Sequence, residues 1–385
     1  MAYGKWVYRL KIKNMNEAEL RKLLNGILPP CDRAMREAAL RQQELAKPPG
    51  SLGRLEDISI QLAGITGKLR NKIEHTRVIV FAADNGIVSE GVASTPQSVT
   101  LSQSINMTHH ITGMSSIAAC FGTEVEVIDV GIASTEVPPA VLNKKIRLGT
   151  RNFAFEPAMT CSEVLDALSV GIDAVKRAKT DAIDAIGIGE MGIGNTTTSA
   201  AVLAALTGEA VENVTGRGSG LTDQAFELKK KVISNALALH SPDANDPIDV
   251  LCKVGGLDIA AMTGAYIGCA YYRIPAVIDG LISVTAALVA SRLSEGVKAF
   301  LFPSHASVET GCRIAEAELG IKPWLLLNMR LGEGSGCPLS FQIMRAACAA
   351  MNAMATFDEA AINNTYLEGI RSCSAFGSAE ESEMQ

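Results

Sequence analysis

The 385-residue sequence has few aromatic residues, only five histidines and no excess of positive charge. Its formal net charge is −6, and no lysine or arginine run is long enough to form a basic patch, which argues against nucleic-acid binding. We interpret the short lysine run that ends at Lys231 as a solvated helix face. No apolar run approaches the length of a membrane span, and the N-terminal residues lack the apolar core and cleavage site of a signal peptide. Any anionic ligand must therefore be held by local groups such as helix N-termini.

The nine cysteines form no C-x-x-C pair, and the histidines show no metal-binding spacing. His109 and His110 are adjacent on a predicted helix, so their side chains point in different directions. Most of the cysteines lie in apolar segments, which is typical of free thiols buried in a protein of the reducing cytoplasm. We therefore predict a cytoplasmic protein with no metal site and no bound cofactor.

Six short apolar segments alternate with alanine-rich helical segments, which predicts a parallel sheet of about six strands with helices on both faces. These predicted strands end at Asp84, Gly131, Glu190, Gly280, His305 and Glu333, and long helices are predicted over 162–178 and 257–271. Ligands of open α/β folds bind outside the carboxyl ends of the strands. One crevice should therefore gather Asp84, Asn85, Glu190, Asn195, Asp279, Ser304, His305 and Glu333.

Both ends of the chain have helical patterns without strand patterns. We predict that residues 1–70 and 339–370 form a small helical domain, which packs beside a large α/β catalytic domain of residues 71–338. The small, polar and acidic residues 371–385 are predicted to be disordered.

Gly187, Gly189 and Gly192 have the spacing G-x-G-x-x-G after an apolar run, which is typical of a dinucleotide-binding turn. Two features argue against NAD. The acidic residue expected about 20 positions later would be Glu209, which lies in a glycine-rich loop and not at a strand end. Glu190, inside the turn, would repel a pyrophosphate. The glycines and the hydroxyl residues after them predict a loop and helix N-terminus that hold a single phosphate.

Glu333 lies between Gly332 and Gly334, and Pro338 follows at a predicted first helical position. The flanking glycines let a substrate approach the carboxylate closely, as a general base requires. A glutamate in an exposed turn is the alternative interpretation. The polar stretch 89–100 is long for an α/β loop and is a candidate binding segment. The loop 216–221, which contains Arg217, could hold an anion or be a surface turn.

Several segments between residues 47 and 350 together resemble the nicotinate-nucleotide–dimethylbenzimidazole phosphoribosyltransferase family of cobamide (vitamin B12) synthesis. They are "KPPGSLGRLE", "ADNGIVSEGV", "PQSVT", "GIGEMGIGNTT", "GRGSGL", "VGGLDIAAMTGA", "PSHASVETG" and "MRLGEGSG". The resemblance implies transfer of the phosphoribosyl group of nicotinate mononucleotide to a benzimidazole nitrogen, which releases nicotinate and gives α-ribazole 5′-phosphate. It also implies a Rossmann-like sheet with a small helical domain from both chain ends, and a homodimer.

The resemblance also implies roles for individual residues. Glu333 matches the general base that takes the azole proton, and Glu190 matches a second acidic residue that could stabilise positive charge on the ribose. Ser89, Gln97 and Met191 are placed beside the aromatic base. The nucleotide and its phosphate are assigned to Gly192, Gly194, Asn195, Thr196, Thr197, Gly218, Ser304, Gly334, Ser335 and Gly336.

Three residues depart from the family pattern. Asn85 stands where the family usually has histidine, and Thr310 and Cys312 replace the usual proline and histidine. The acceptor and the subunit composition therefore stay open. The intact Ser89, Gln97 and Glu333 favour a benzimidazole-type acceptor. The alternatives are one subunit of a heteromeric enzyme that uses phenol or p-cresol, and a non-catalytic nucleotide-binding partner subunit.

Overall fold

The computed structural model describes residues 15–367, and its centre is one six-stranded sheet. Every pair of neighbouring strands is parallel, and the spatial order is β3-β2-β1-β4-β5-β6. The strands are β1 Thr76–Ala83, β2 Glu124–Gly131, β3 Leu142–Asn143, β4 Ala185–Met191, β5 Ala276–Ile278 and β6 Leu301–Phe302. The predicted parallel α/β sheet is confirmed.

Fourteen α-helices and two 3₁₀ helices are described over residues 15–367. The α-helices are α1 Glu17–Asn25, α2 Asp32–Glu44, α3 Arg54–Thr66, α4 Val99–Thr108, α5 Gly113–Cys120, α6 Cys161–Thr180, α7 Asn195–Thr207, α8 Val211–Val214, α9 Asp223–His240, α10 Pro247–Val254, α11 Leu257–Tyr272, α12 Leu281–Leu293, α13 Thr310–Leu319 and α14 Cys337–Ala353. The 3₁₀ helices are Gly86–Glu90 and Glu295–Phe300. The long helices predicted over 162–178 and 257–271 are confirmed as α6 and α11.

The strand predicted to end at Glu333 is wrong. Residues 324–333 make a single isolated bridge, between His305 and Leu325, and Leu326 is 69% exposed. An apolar run becomes a strand only when a neighbouring backbone offers a ladder of hydrogen bonds, and β6 is only two residues long. The sixth strand is instead β3, a two-residue edge strand beside β2 that has no apolar pattern to reveal it.

The two adjacent histidines are also placed differently from the prediction. His109 is the residue that follows the last turn of α4, and His110 has a positive φ of 58°. The helix therefore ends before both of them, because Thr108 is its last residue.

The close packing of the Glu333 segment against β4 depends on glycine at position 189. A Cβ there would lie 2.5 Å from the carbonyl oxygen of Glu333, which is far inside van der Waals contact. Because Gly189 has no side chain, the loop that carries Glu333 lies directly against the strand that carries Glu190. The glycine spacing that resembled a dinucleotide turn thus brings two carboxyl groups together.

The helices from the chain ends pack on each other and on the sheet. Ala34, Ala38, Ala63 and Met351, from α2, α3 and α14, form a small apolar cluster of their own. Leu62 of α3 also belongs to the main core. A separate small helical domain therefore stays a prediction, and the tail 371–385 lies outside the described residues. Within residues 15–367, no helix has both the length and the apolar character that a membrane crossing requires.

Candidate active site

A cavity of about 250 Å³ opens at the carboxyl end of β4. Its walls come from the loop before α7, the glycine-rich loop 216–221, the start of α12 and the segment 330–333. Glu190, Asn195, His305 and Glu333 line it, which places four of the eight predicted crevice residues at the cavity surface. Asp84, Asn85, Asp279 and Ser304 are buried and do not line it.

Glu190 and Glu333 are linked by a hydrogen bond from the backbone of Glu333 to the side chain of Glu190. The N–H of Glu333 donates to Oε1 of Glu190 at 3.3 Å, and the side-chain amide of Asn195 donates to Oε2. Both glutamates are 6% exposed. Asn195 is the first residue of α7, so the same residue that begins the predicted phosphate helix also fixes the carboxyl group of Glu190.

The carboxylate of Glu333 is held from two sides. Its Oε1 accepts from Nε2 of Gln103 at 3.2 Å, and its Oε2 accepts from the backbone N–H of Met114 at 3.3 Å. Met114 lies in the first turn of α5, where the helix dipole favours negative charge. The carboxylate thus has two donors that fix its orientation, while it still faces the cavity.

The backbone at Glu333 is unusual. Its φ is +64°, between +78° at Gly332 and +85° at Gly334, although only a few per cent of non-glycine residues adopt the left-handed region. Asp279, just after β5, holds the segment: its two carboxylate oxygens accept from the N–H of Gly334 at 3.0 Å and of Gly336 at 2.7 Å. These hydrogen bonds stabilise a backbone conformation that is unfavourable by itself.

Two buried carboxyl groups, Asp258 and Asp279, lie close enough to Glu190 to change its ionisation. Burial raises the pKa of Glu190 from its ordinary value of 4.5 to about 8, and the charges of Asp258 and Asp279 add to the rise. Burial also raises the pKa of Asp258 to about 6 and raises that of Asp279. Near neutral pH, Glu190 therefore holds a proton in the free protein.

A buried lysine lies beside the loop before α7. Lys229 of α9 is fully buried, and its Nζ donates to Oγ1 of Thr196 and to the carbonyl of Gly216, both at 3.0 Å. Burial lowers its pKa to about 8, so it is still mostly cationic near neutral pH. Thr196 lines the cavity. The interpretation of this lysine run as a solvated helix face is wrong at Lys229, because α9 turns that residue toward α7.

The comparisons with known proteins agree with this geometry. Residues 27–362 match a family model described as phosphoribosyltransferase. The chain is 51% identical to the nicotinate-nucleotide–dimethylbenzimidazole phosphoribosyltransferase of Clostridium perfringens, over 91% of this chain and 98% of that protein. It is 47% identical to the protein of the same name from Clostridium acetobutylicum, over 90% of this chain and 98% of that protein.

The chain belongs to the nicotinate-nucleotide–dimethylbenzimidazole phosphoribosyltransferase family. The fold agrees: the crystal structure of CobT from Thermus thermophilus superimposes with a TM-score of 0.83 at 37% identity, over 86% of this chain and 99% of that one. The family resemblance of the sequence is confirmed.

The residues assigned by family resemblance fall into three groups. Met191, Gly192, Gly194, Asn195, Thr196 and Gly218 line the cavity together with Glu190 and Glu333. Thr197, Ser304, Gly334, Ser335 and Gly336 are buried behind its surface, although the backbone of the last three carries the Glu333 segment.

Ser89 and Gln97 form the third group, because neither lines the cavity. Ser89 is exposed in a 3₁₀ helix, where its hydroxyl donates to the carbonyl of Gly86 and accepts from the Asn152 amide. Gln97 is half-buried in the turn before α4, and residues 92–95 of the same polar stretch reach the cavity instead. Contact of Ser89 and Gln97 with the aromatic base stays a prediction.

The three departures from the family pattern lie outside the cavity lining. Asn85 is buried, where its Oδ1 accepts from Thr198 Oγ1 at 3.3 Å and its amide donates to the carbonyl of Ile193 at 3.4 Å. Cys312 is buried in the first turns of α13, its thiol donates to Glu316, and burial raises its pKa well above the ordinary value. The departures thus lie behind the cavity and not in its lining.

Sequence reasoning missed five polar residues of the site. Gln103 holds Glu333 and Lys229 contacts Thr196, while three further residues line the cavity: Ser307, Glu309 and Arg330. The signal for Lys229 was present. It shares the buried face of α9 with Val232, Ile233 and Ala236, which is the i, i+3, i+4, i+7 spacing of a core-facing helix.

Proposed function

We propose that this protein transfers the phosphoribosyl group of nicotinate mononucleotide to 5,6-dimethylbenzimidazole or a related base, and so makes α-ribazole 5′-phosphate and nicotinate for cobamide assembly. Family membership supports the reaction. The observation that carries the proposal is the arrangement around the cavity. Glu333, which lines it, is anchored at the N-terminus of α5, and the buried Lys229 lies behind Thr196 at the N-terminus of α7, which also lines it.

Glu333 is the general base in this proposal. One ring nitrogen of the benzimidazole attacks the anomeric carbon, the bond from that carbon to the nicotinate nitrogen breaks, and the other ring nitrogen gives its proton to Glu333. The nicotinate ring is cationic in the nucleotide and leaves as a neutral pyridine nitrogen, so its departure needs no proton donor. The hydrogen bonds from Gln103 and Met114 orient the carboxylate while one face stays open to the cavity.

In this proposal Glu190 is not a permanent anion but ionises only when the substrate is bound. In the free protein it holds a proton near neutral pH, because burial raises its pKa to about 8. The cationic nicotinate ring, or positive charge that develops on the ribose, would favour the ionised form and lower that pKa. Glu190 thus becomes a counter-charge when substrate and transition state are present.

The phosphate is assigned to the other side of the cavity. The α7 N-terminus and the cationic Lys229 next to Thr196 are groups that attract an anion. Arg217 is less available, because its guanidinium pairs with Asp223 at 2.6 Å and lies over the Phe226 ring.

One assay tests the proposal. The purified protein alone is mixed with nicotinate mononucleotide and either 5,6-dimethylbenzimidazole or p-cresol, and nicotinate release is followed. Release with the benzimidazole is expected. Release with p-cresol alone would favour the phenolic enzyme, and no release with either acceptor would contradict a stand-alone transferase.

Glu333→Gln sharpens the same assay. It should lower turnover by about 10²–10⁴-fold, because it removes only the proton acceptor, and should leave nucleotide binding within about twofold of wild type. Glu212→Gln, an exposed glutamate of α8, is the matched control and should leave turnover unchanged. Near-wild-type turnover of Glu333→Gln would mean that another group takes the proton.

We further propose that the protein is a cytoplasmic homodimer. Three exposed leucines, Leu326, Leu327 and Leu331, stand on the extended segment 324–333, and such a patch is typical of a protein interface. Sedimentation of the purified protein should give a mass near twice 40.6 kDa. A monomer that gains activity only with a second, unlike chain would support the heterodimer instead.

A further inference from the structure

His305 has a buried ring nitrogen with no hydrogen-bond partner. The residue follows β6, is 1% exposed and lines the cavity, yet its Nε2 contacts no donor or acceptor within the described residues. Buried polar atoms in native proteins nearly always have a partner, so an unpaired one at the edge of a binding cavity indicates a group that arrives with the ligand.

The other ring nitrogen shows which kind of partner Nε2 needs. Nδ1 lies 3.1 Å from Oγ of Ser304 and 3.7 Å from a carboxylate oxygen of Asp279. The Ser304 hydroxyl donates its own hydrogen to the Asp279 carbonyl, and both Asp279 carboxylate oxygens accept backbone N–H groups. Both neighbours therefore face Nδ1 as acceptors, so the hydrogen-bond network places a proton on Nδ1. In the neutral ring this leaves a lone pair on Nε2, and the partner that Nε2 then lacks is a hydrogen-bond donor.

The position of the ring indicates which part of a nucleotide it faces. On one side, Asp279 links His305 to the loop that carries Glu333. On the other side, a Cβ at Gly280 would lie 3.9 Å from Nε2, and Gly280 immediately precedes α12, whose first residues line the cavity. His305 thus lies in the part of the cavity wall near Glu333, the proposed general base, and not in the group formed by Lys229 and Thr196. The ribose of a bound nucleotide lies between its base and its phosphate.

We propose that Nε2 of His305 accepts a hydrogen bond from a ribose hydroxyl of the phosphoribosyl donor. This inference rests on the proposed function. Of the groups on the donor nucleotide, a ribose hydroxyl always carries a hydrogen to donate, whereas an ionised phosphate presents acceptors only. The bond fixes the rotation of the sugar, and so the face of the anomeric carbon that is turned toward the attacking nitrogen.

Two substitutions of the same residue separate substrate contact from a structural role. The amide of His305→Gln reaches the position of Nε2, whereas the amide of His305→Asn reaches that of Nδ1. If Nε2 contacts the substrate, His305→Asn should weaken nicotinate mononucleotide binding by roughly tenfold and His305→Gln by less than about threefold, in line with one lost hydrogen bond. Better binding by His305→Asn than by His305→Gln would show that the ring only supports Asp279, and would overturn the proposal.

Ligand analogues identify the contacted group. Wild type and His305→Asn are titrated with nicotinate mononucleotide, its 2′-deoxy and 3′-deoxy analogues, and nicotinate riboside, which lacks the phosphate. Loss of the contacted hydroxyl should cost wild type roughly tenfold in Kd and the variant almost nothing. The ribose assignment would be overturned if the effect of His305→Asn on Kd were non-additive with loss of the phosphate but additive with loss of either hydroxyl.

A measurement on wild type keeps the proposal testable if both variants fail to fold. With five histidines in the chain, ¹⁵N labelling of histidine resolves each ring. The His305 Nε2 resonance should show an unprotonated nitrogen that shifts when nicotinate mononucleotide binds, and shifts less with the analogue that lacks the contacted hydroxyl. Binding without any shift would overturn this inference alone. Absence of nicotinate mononucleotide binding to wild type would overturn the proposed function as well.

Discussion

Glu190→Gln should make the protein more stable at pH 8 while it makes little difference in acid. Because burial raises the pKa of Glu190 from 4.5 to about 8, the folded protein keeps this proton over a pH range in which the unfolded chain has lost it. The folded state binds more protons there, so the wild-type free energy of unfolding falls as the pH rises from 4.5 to 8. At about 1.4 kcal/mol per pH unit, the change amounts to about 5 kcal/mol across the interval.

That magnitude is comparable with the whole free energy of unfolding of many domains, which makes the effect measurable. Glutamine keeps the volume of the side chain and an oxygen that can accept the N–H of Glu333, but it does not titrate. Urea unfolding followed by circular dichroism, at intervals from pH 5 to pH 8.5, gives the free energy of unfolding of both proteins.

The difference between variant and wild type cancels the titrating groups that the two proteins share, except Asp258 and Asp279, whose charges act on Glu190. The free energy of unfolding of Glu190→Gln minus that of wild type should rise steadily toward pH 8 by several kcal/mol, in addition to any difference that does not depend on pH. For Glu212→Gln, which changes an exposed glutamate, the difference should not vary with pH. A Glu190→Gln difference that is equally independent of pH would refute the argument that the folded protein holds this proton.

Two further predictions follow from contacts of single residues. Lys229→Met should raise the Kd for nicotinate mononucleotide by about 10–100-fold, because it removes the buried positive charge that lies beside Thr196 at the α7 N-terminus. The control Lys231→Met changes an exposed lysine of the same helix and should alter the Kd by less than about twofold; equal effects of both variants would show that Lys229 does not act on the phosphate. The sulfur atoms of Cys161 and Cys252 lie 3.1 Å apart, so hydrogen peroxide should oxidise the two thiols to a disulfide with release of water. Mass spectrometry should show a loss of about 2 Da, which Cys161→Ser should abolish. An unchanged mass for this pair of peptides in wild type would contradict the predicted proximity of the thiols.

The sheet was predictable because its central strands carry their own signal. β1, β2 and β4 are seven or eight residues long and largely buried, so apolar runs followed by a polar turn identify them without knowledge of their neighbours. The edge strand β3 carries no such signal. It is two residues long, and its pairing with β2 depends on where the preceding loop returns. The exposed apolar run before Glu333 misled the prediction, because its composition is the same as that of a buried strand.

The site was predictable where the backbone demanded an unusual residue. Glycines around Glu190 and Glu333 marked close packing and left-handed backbone, and these demands are visible as residue types. Gln103 and the N–H of Met114 left no such mark, because their role arises only when α4 and α5 are packed beside the sheet. The protonation of Glu190 was likewise inaccessible, since it is set by burial and by Asp258 and Asp279 from distant parts of the chain.

The left-handed backbone at Glu333 has a consequence for anyone who evolves or redesigns this enzyme. A side chain in that conformation costs about 1–2 kcal/mol relative to glycine, and both neighbours are already glycine. Selection for heat resistance alone would therefore favour Glu333→Gly at this strained backbone, a change that relaxes the chain and removes the proposed base. A library of thermostable variants should be sorted by turnover from the first round, because backbone strain at this position favours glycine whereas the proposed base requires glutamate.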